Sequence, residues 1–198
     1  DVLGSRGLGD VYKRQEHNKN LNISMANKAA KPNGKLGVMV VGNGAVATTF
    51  MTGVLMTRKG LAKPVGSMCM YDKIRVGKGE DKKYLHYKDI VPLADLNDIE
   101  FATWDVYPAN AYDAAINAEV LKEKDINPVK EELQAIVPMK AAFDKNYAKR
   151  LEGDNVMEGK TRWEMAEQLR EDIRNFKKEK GLDRVVVLWA ASLSLIHI

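Results

Sequence analysis

Apolar residues in this chain alternate between short continuous runs and stripes at helical spacing, the pattern of strands and helices taken in turn that marks an α/β protein. Residues 36–41 form a β-branched run bounded by Pro32-Asn33-Gly34 behind and Gly42 ahead, which predicts a buried parallel strand. From Ala45 the positions Val46, Ala47, Phe50, Met51, Val54 and Leu55 fall on one helical face, and Arg58-Lys59-Gly60 supplies basic residues and a glycine for the helix end. A second strand is expected near residues 65–71. The stretch 73–88 is charged and tyrosine-rich, and residues 99–104 read as the next buried strand, ending at Asp105.

The second half is more helical. Asn110 is placed to cap a helix with Tyr112, Ala115, Ile116 and Val120 on one face. Asn127 followed by Pro128 opens another, with Val129, Leu133 and Ile136 as its stripe and Pro138 as its stop. Residues 139–159 read as a loop-rich crossing with a helical turn. Thr161 and Glu164 form a capping box for a long helix that turns Ala166, Leu169, Ile173 and Phe176 inward and ends at Gly181. Residues 184–189 are then a strong strand.

The first of these strands leads into Gly42-Asn43-Gly44-Ala45-Val46-Ala47, the G-x-G-x-x-A form of a dinucleotide fingerprint. Gly42 permits a tight turn, Gly44 lacks the Cβ that would hold a pyrophosphate off the backbone, and Ala47 lets helix and strand pack closely. The helix N-terminus that follows offers unpaired N–H groups and a positive dipole end to phosphates. The fold expected is a Rossmann-like, doubly wound parallel sheet. Asp105 leaves the carboxyl end of a strand, where open α/β sheets bind ligands; a capping or turn acid is the alternative for it. Asp72 lies at a loose ribose-acid spacing and reads equally well as a solvated turn residue.

Charge and composition narrow the partners. The 31 basic and 27 acidic residues leave a net charge of +4 that is spread along the chain, without the basic block or aromatic-interleaved stripe of a nucleic-acid binder. No apolar run has the length of a membrane span. The single cysteine, Cys69, fits a reducing compartment and reads as a buried small apolar residue beside Met68 and Met70, so a cytoplasmic location is expected. His86 has no second ligand at metal-binding spacing and is expected to be structural. Residues 1–24 and 193–198 read as foreign to the rest: a non-native or disordered leader and a non-native tail around a nucleotide-binding domain at 25–192.

Several motifs in order give the chain a family likeness. Residues 36–42 running into the glycine turn, Trp104-Asp105-Val106, the Asn146…Arg150…Asp154-Asn155-Val156 segment and Val187-Leu188-Trp189-Ala190-Ala191-Ser192 together resemble the N-terminal part of inositol-3-phosphate synthases, also called myo-inositol-1-phosphate synthases, of a bacterial branch. The resemblance implies NAD as cofactor, with contacts from Gly42, Asn43, Gly44, Ala45, Val46, Ala47, Asp105, Asn146, Arg150 and Ser192. Tyr147 stands where the family usually has Gln, and Gly44-Ala45-Val46-Ala47 replaces its asparagine pair, so backbone contacts must serve there. It further implies a redox-neutral conversion of glucose 6-phosphate to inositol 3-phosphate through oxidation, aldol closure and reduction. The acid–base lysines of the family lie C-terminal to everything here, so no catalytic residue is assigned and the fold is expected to be incomplete. Full-length members are homo-oligomers, mostly tetramers. An NAD(P)-dependent dehydrogenase domain and a nucleotide-sensing module are the alternatives. An incomplete sheet ending on residues 185–189 is expected to expose an apolar edge and to favour aggregation.

Overall fold

The computed structural model describes residues 33–144, 146 and 151–191. In chain order these form β1 (Lys35–Val41), α1 (Ala45–Arg58), α2 (Met68–Tyr71), β2 (Lys73–Val76), β3 (Lys83–His86) and α3 (Tyr87–Ile90). There follow β4 (Ile99–Asp105), α4 (Ala111–Ala118), α5 (Glu123–Ile126), α6 (Lys130–Gln134), β5 (Met139–Lys140), α7 (Arg162–Glu179) and β6 (Leu182–Trp189).

Among the described residues the main sheet has the order β5-β4-β1-β6, with every neighbouring pair parallel. β1 is central: its Val41 lies opposite Trp104 on one side and Trp189 on the other. The chain winds outward from β1 first toward β4 and β5, then returns to place β6 on the opposite flank. That reversal makes the carboxyl end of β1 the topological switch point, where open α/β sheets form their ligand crevice. The expected doubly wound sheet is therefore present.

The period-two alternation of β1 serves two cores. Val38 and Val40 face Met51 and Leu55 of α1, with Ala111, Ala115 and Leu133 beyond them. Met39 faces the other way, into a cluster with Trp104, Phe176 and Leu182 beneath α7. Trp104 is buried and its indole N–H donates to Asp172 Oδ2 at 2.9 Å, which ties α7 to the sheet. On the first face Arg58, in the last turn of α1, donates to the carbonyls of Leu96 and Ile99 and lies 5.8 Å from the Phe101 ring.

Several expectations change. Residues 65–71 are not a strand: Pro64 and Ser67 turn the chain, with Ser67 N–H donating to the Pro64 carbonyl at 2.9 Å, and α2 follows. The extended structure lies later, in the antiparallel β2–β3 hairpin. Its alternation was hidden by charge, since both faces are largely exposed. The whole stretch 59–98 is an excursion between α1 and β4, the strand next to β1. Asn127 is not the N-cap of a helix; it is the C-cap of α5 and the first residue of a 3₁₀ turn, Pro128 stands inside that turn, and Asn127 Oδ1 accepts from Tyr112 Oη. Residues 139–159 contain the two-residue β5 and a bridge between Ala141 and Val156. α4 ends at Ala118 because Glu119 adopts φ 53°, so Val120 is left exposed. Val46 and Ala166 also face solvent, as does Cys69, which lies on the short helix α2 and not in the buried position expected of it, and Phe50 is partly exposed with its edge on Phe101. β6 has one partner among the described residues, and Val186, Val187, Leu188 and Trp189 are exposed along its free edge.

The capping box of α7 is present in full: the Thr161 hydroxyl accepts from Glu164 N–H, and Glu164 accepts from Thr161 N–H at 2.7 Å. That backbone N–H, with the Thr161 hydroxyl, holds the Glu164 carboxyl below its ordinary value of 4.5. Replacing Thr161 with Ala is expected to lower stability by about 1 kcal/mol in urea denaturation at neutral pH. Because the folded-state pKa of Glu164 is depressed, its contribution is full above 4.5 and fades as the pH falls below it, so the gap between the two proteins should narrow on acidification.

Candidate functional site

The carboxyl ends of β1 and β4 are joined directly. Gly42 N–H donates to the Trp104 carbonyl at 2.8 Å, extending the ladder by one bond, and the next amide, Asn43 N–H, donates to Asp105 Oδ2 at 2.5 Å. The other oxygen of Asp105 accepts from Tyr107 N–H at 2.9 Å. One half-buried carboxylate thus holds the glycine turn and its own following turn together. Both readings of Asp105 meet in this geometry: it is a turn acid, and it stands at the switch point. Among the described residues it is also the acid ending the strand next to β1, whereas Asp72 lies within the excursion.

Gly42 has φ +98° and is overlain by the chain leaving β6; a Cβ there would sit 2.7 Å from Ala191 Cα. Only glycine satisfies both conditions. Gly44 is different. A Cβ on it would meet nothing within 4 Å, so its missing side chain leaves open space over the turn. Gly44 is the N-cap of α1 and gives no side-chain cap, no acidic residue stands in the first turn, and the first-turn amides of Ala45, Val46 and Ala47 are the ones a helix leaves without intrahelical partners. Thr48 returns its hydroxyl to the Gly44 carbonyl at 3.0 Å and Ala47 is buried against the sheet. Asn43 is 3% exposed; its Nδ2 donates to the Ala109 carbonyl at 3.0 Å, while its Oδ1 is buried without a partner.

Of the site residues read from the sequence, Gly42, Asn43, Gly44, Ala45, Val46, Ala47 and Asp105 come together at this edge. Asn146 makes a local bond, its N–H donating to Asp144 Oδ1 at 2.9 Å. Asp144 in turn pairs with Arg162 at 2.8 Å, and that guanidinium keeps the Asp144 carboxyl below the usual range. Arg150 and Ser192 lie outside the described residues, as do the leader at 1–24 and the tail at 193–198. Sequence reasoning missed what closes the site from behind, namely Ala190 and Ala191 over Gly42, and Asn155, whose side chain reaches the Asp105 carbonyl at 2.9 Å. Asn155 was legible only as part of a family-like segment, since its partners are 16 to 50 residues away.

Residues 36–195 match the family model described as myo-inositol-1-phosphate synthase, in its NAD-binding domain. The chain belongs to the myo-inositol-1-phosphate synthase family. It is 59% identical over 163 residues to inositol-3-phosphate synthase 1 of Bacteroides thetaiotaomicron, covering 82% of this chain and 37% of that protein. Inositol-3-phosphate synthase 1 of Oryza sativa subsp. japonica is 34% identical over 173 residues, covering 80% and 34%. The crystal structure of inositol-3-phosphate synthase from Caenorhabditis elegans superposes with a TM-score of 0.74 at 26% identity, over 82% of this chain and 35% of that one. The chain thus spans about a third of the length of these synthases, and the part it spans is their Rossmann-like NAD-binding domain.

The two glycines of the synthase loop separate on substitution. Gly42→Ala is expected to cost about 1–3 kcal/mol, from the positive φ and the contact with Ala191. Gly44→Ala should change stability by no more than about 0.5–1 kcal/mol, because its Cβ enters open space. Melting of the two variants side by side checks the contrast.

Proposed function

We propose that this chain is the NAD-holding part of an inositol-3-phosphate synthase that converts glucose 6-phosphate to inositol 3-phosphate. The observation that carries the reading is the glycine turn at the switch point of a family-matched sheet, with uncapped amides at the start of α1 and the buried, unpaired Oδ1 of Asn43. Those features fit a dinucleotide. The first-turn amides of α1 and the open space over Gly44 suit the pyrophosphate. Asp105 spends one acceptor position on each oxygen to fix the loop, and a carboxylate has further lone pairs for a ribose hydroxyl. Asn146, Arg150 and Ser192 are proposed to complete the cofactor's surroundings.

When bound, NAD supplies a reversible hydride acceptor, which lets a net isomerisation pass through a ketone whose neighbouring C–H is acidic. What this chain's residues do is bind and orient. The amides of α1 fix the phosphates, Asp105 and Asn43 set the height of the turn, and the close passage of Ala190 and Ala191 over Gly42 limits water behind it. The acid and base groups for enolisation and ring closure are proposed to lie in the remaining two-thirds of the synthase, so this chain alone would bind NAD without turnover. On the same family likeness the full-length enzyme is taken to be a cytoplasmic homo-oligomer.

The test uses the full reading frame with glucose 6-phosphate and trace NAD, following inositol phosphate and NADH together. Inositol phosphate in excess of NAD, without accumulating NADH, is the expected result. NADH rising without inositol phosphate would identify a dehydrogenase and overturn the reading. In the same enzyme Gly44→Ala should weaken NAD binding at least about ten-fold while leaving the melting midpoint near that of the parent, because the added methyl meets only the ligand.

A further inference from the structure

We propose that Asn155 is a positioning residue for the cofactor loop, acting on it through Asp105; the inference rests on the NAD-binding reading above. β4 and β5 end together at this edge of the sheet, and β5 is only two residues long, so the carbonyls at their ends find little strand to pair with. Asn155 supplies the missing donors. Its Nδ2 donates to the carbonyl of Asp105 at 2.9 Å, of Met139 at 3.1 Å and of Pro138 at 3.3 Å. Its own N–H donates to the Val106 carbonyl at 2.9 Å, and its carbonyl accepts from Ala141 N–H at 2.9 Å. One residue therefore bonds both strand ends through side chain and backbone together.

The fit is close. Two residues earlier, a Cβ on Gly153 would clash with the Val106 carbonyl oxygen, so the segment is pressed against the end of β4. The bond to the Asp105 carbonyl fixes the backbone whose carboxylate holds Asn43 N–H, and Asn43 lies between the two glycines of the turn. Among the described residues Asn155 has no hydrogen bond to the turn itself. Its influence on the cofactor runs through the placement of Asp105, and removing its amide, whose two N–H groups are shared among the three carbonyls, takes the side-chain donor away from all of them.

The test is a double-mutant cycle in the full-length enzyme, read as the NAD dissociation constant by calorimetry, with the KM for glucose 6-phosphate measured at saturating NAD. Asn155→Ala is expected to weaken NAD about ten-fold and to leave that KM unchanged. Asp105→Ala should weaken NAD at least as much, and the double variant should bind no more weakly than Asp105→Ala alone, because the two residues act in series. Asn155→Ser keeps both backbone bonds and one donor; if Asn155→Ala does not fold, the cycle is run with Ser under the same expectation. An unchanged NAD affinity in a folded Asn155 variant, or two losses that multiply in the double variant, would overturn the role of Asn155 alone. A wild-type enzyme that binds no NAD would overturn the underlying reading and this one with it.

Discussion

A single carboxylate bonded to a backbone amide ties the site to the sheet. The bond from Asn43 N–H to Asp105 joins the ends of two adjacent parallel strands beyond the point where their ladder stops. Its two residues reach further: the other oxygen of Asp105 holds the turn at Tyr107, and the Asn43 side chain bonds the Ala109 carbonyl just before α4. A charged acceptor suits this place. It bonds amides more strongly than a neutral carbonyl does, and with two oxygens it can hold two turns at once.

The rest of the fold gives that bond a rigid base. β1 has a parallel neighbour on each side and a core on each face, with Met51 and Leu55 of α1 against one and Phe176 of α7 against the other. Trp104 links these parts, since its ring fills the second core, its indole N–H engages Asp172, and its carbonyl receives Gly42 N–H. The residue preceding the acid thus anchors the helix layer while the acid itself faces the ligand edge. Adjacent strand residues point to opposite faces, which is why one dipeptide can do both.

The sequence was most readable where structure is set by near neighbours. The β-branched run of β1, the glycine turn and the Thr161–Glu164 capping box are each written within a few residues, and each is present in the fold. Legibility fell where partners are distant or faces are exposed. The β2–β3 hairpin carries Lys73-Ile74-Arg75-Val76 against Lys83-Tyr84-Leu85-His86, an alternation whose apolar positions stay largely in water, so charge concealed it. The spacing expected for a ribose-binding acid pointed to the neighbourhood of Asp72, because nothing local announces that residues 59–98 are an excursion and that the neighbouring strand comes only at Ile99. Asn155 was hidden for the same reason, as its amide acts on carbonyls far along the chain.

The excursion also sets an order of events during folding. Asn43 and its acceptor are 62 residues apart, so the turn cannot be fastened until β1 and β4 have found each other across a long, entropically costly loop. Local helices can form earlier, but the ligand edge exists only in chains whose central strand pairing is already in register. A nucleotide that binds this edge therefore selects correctly paired chains and draws the population toward them by mass action.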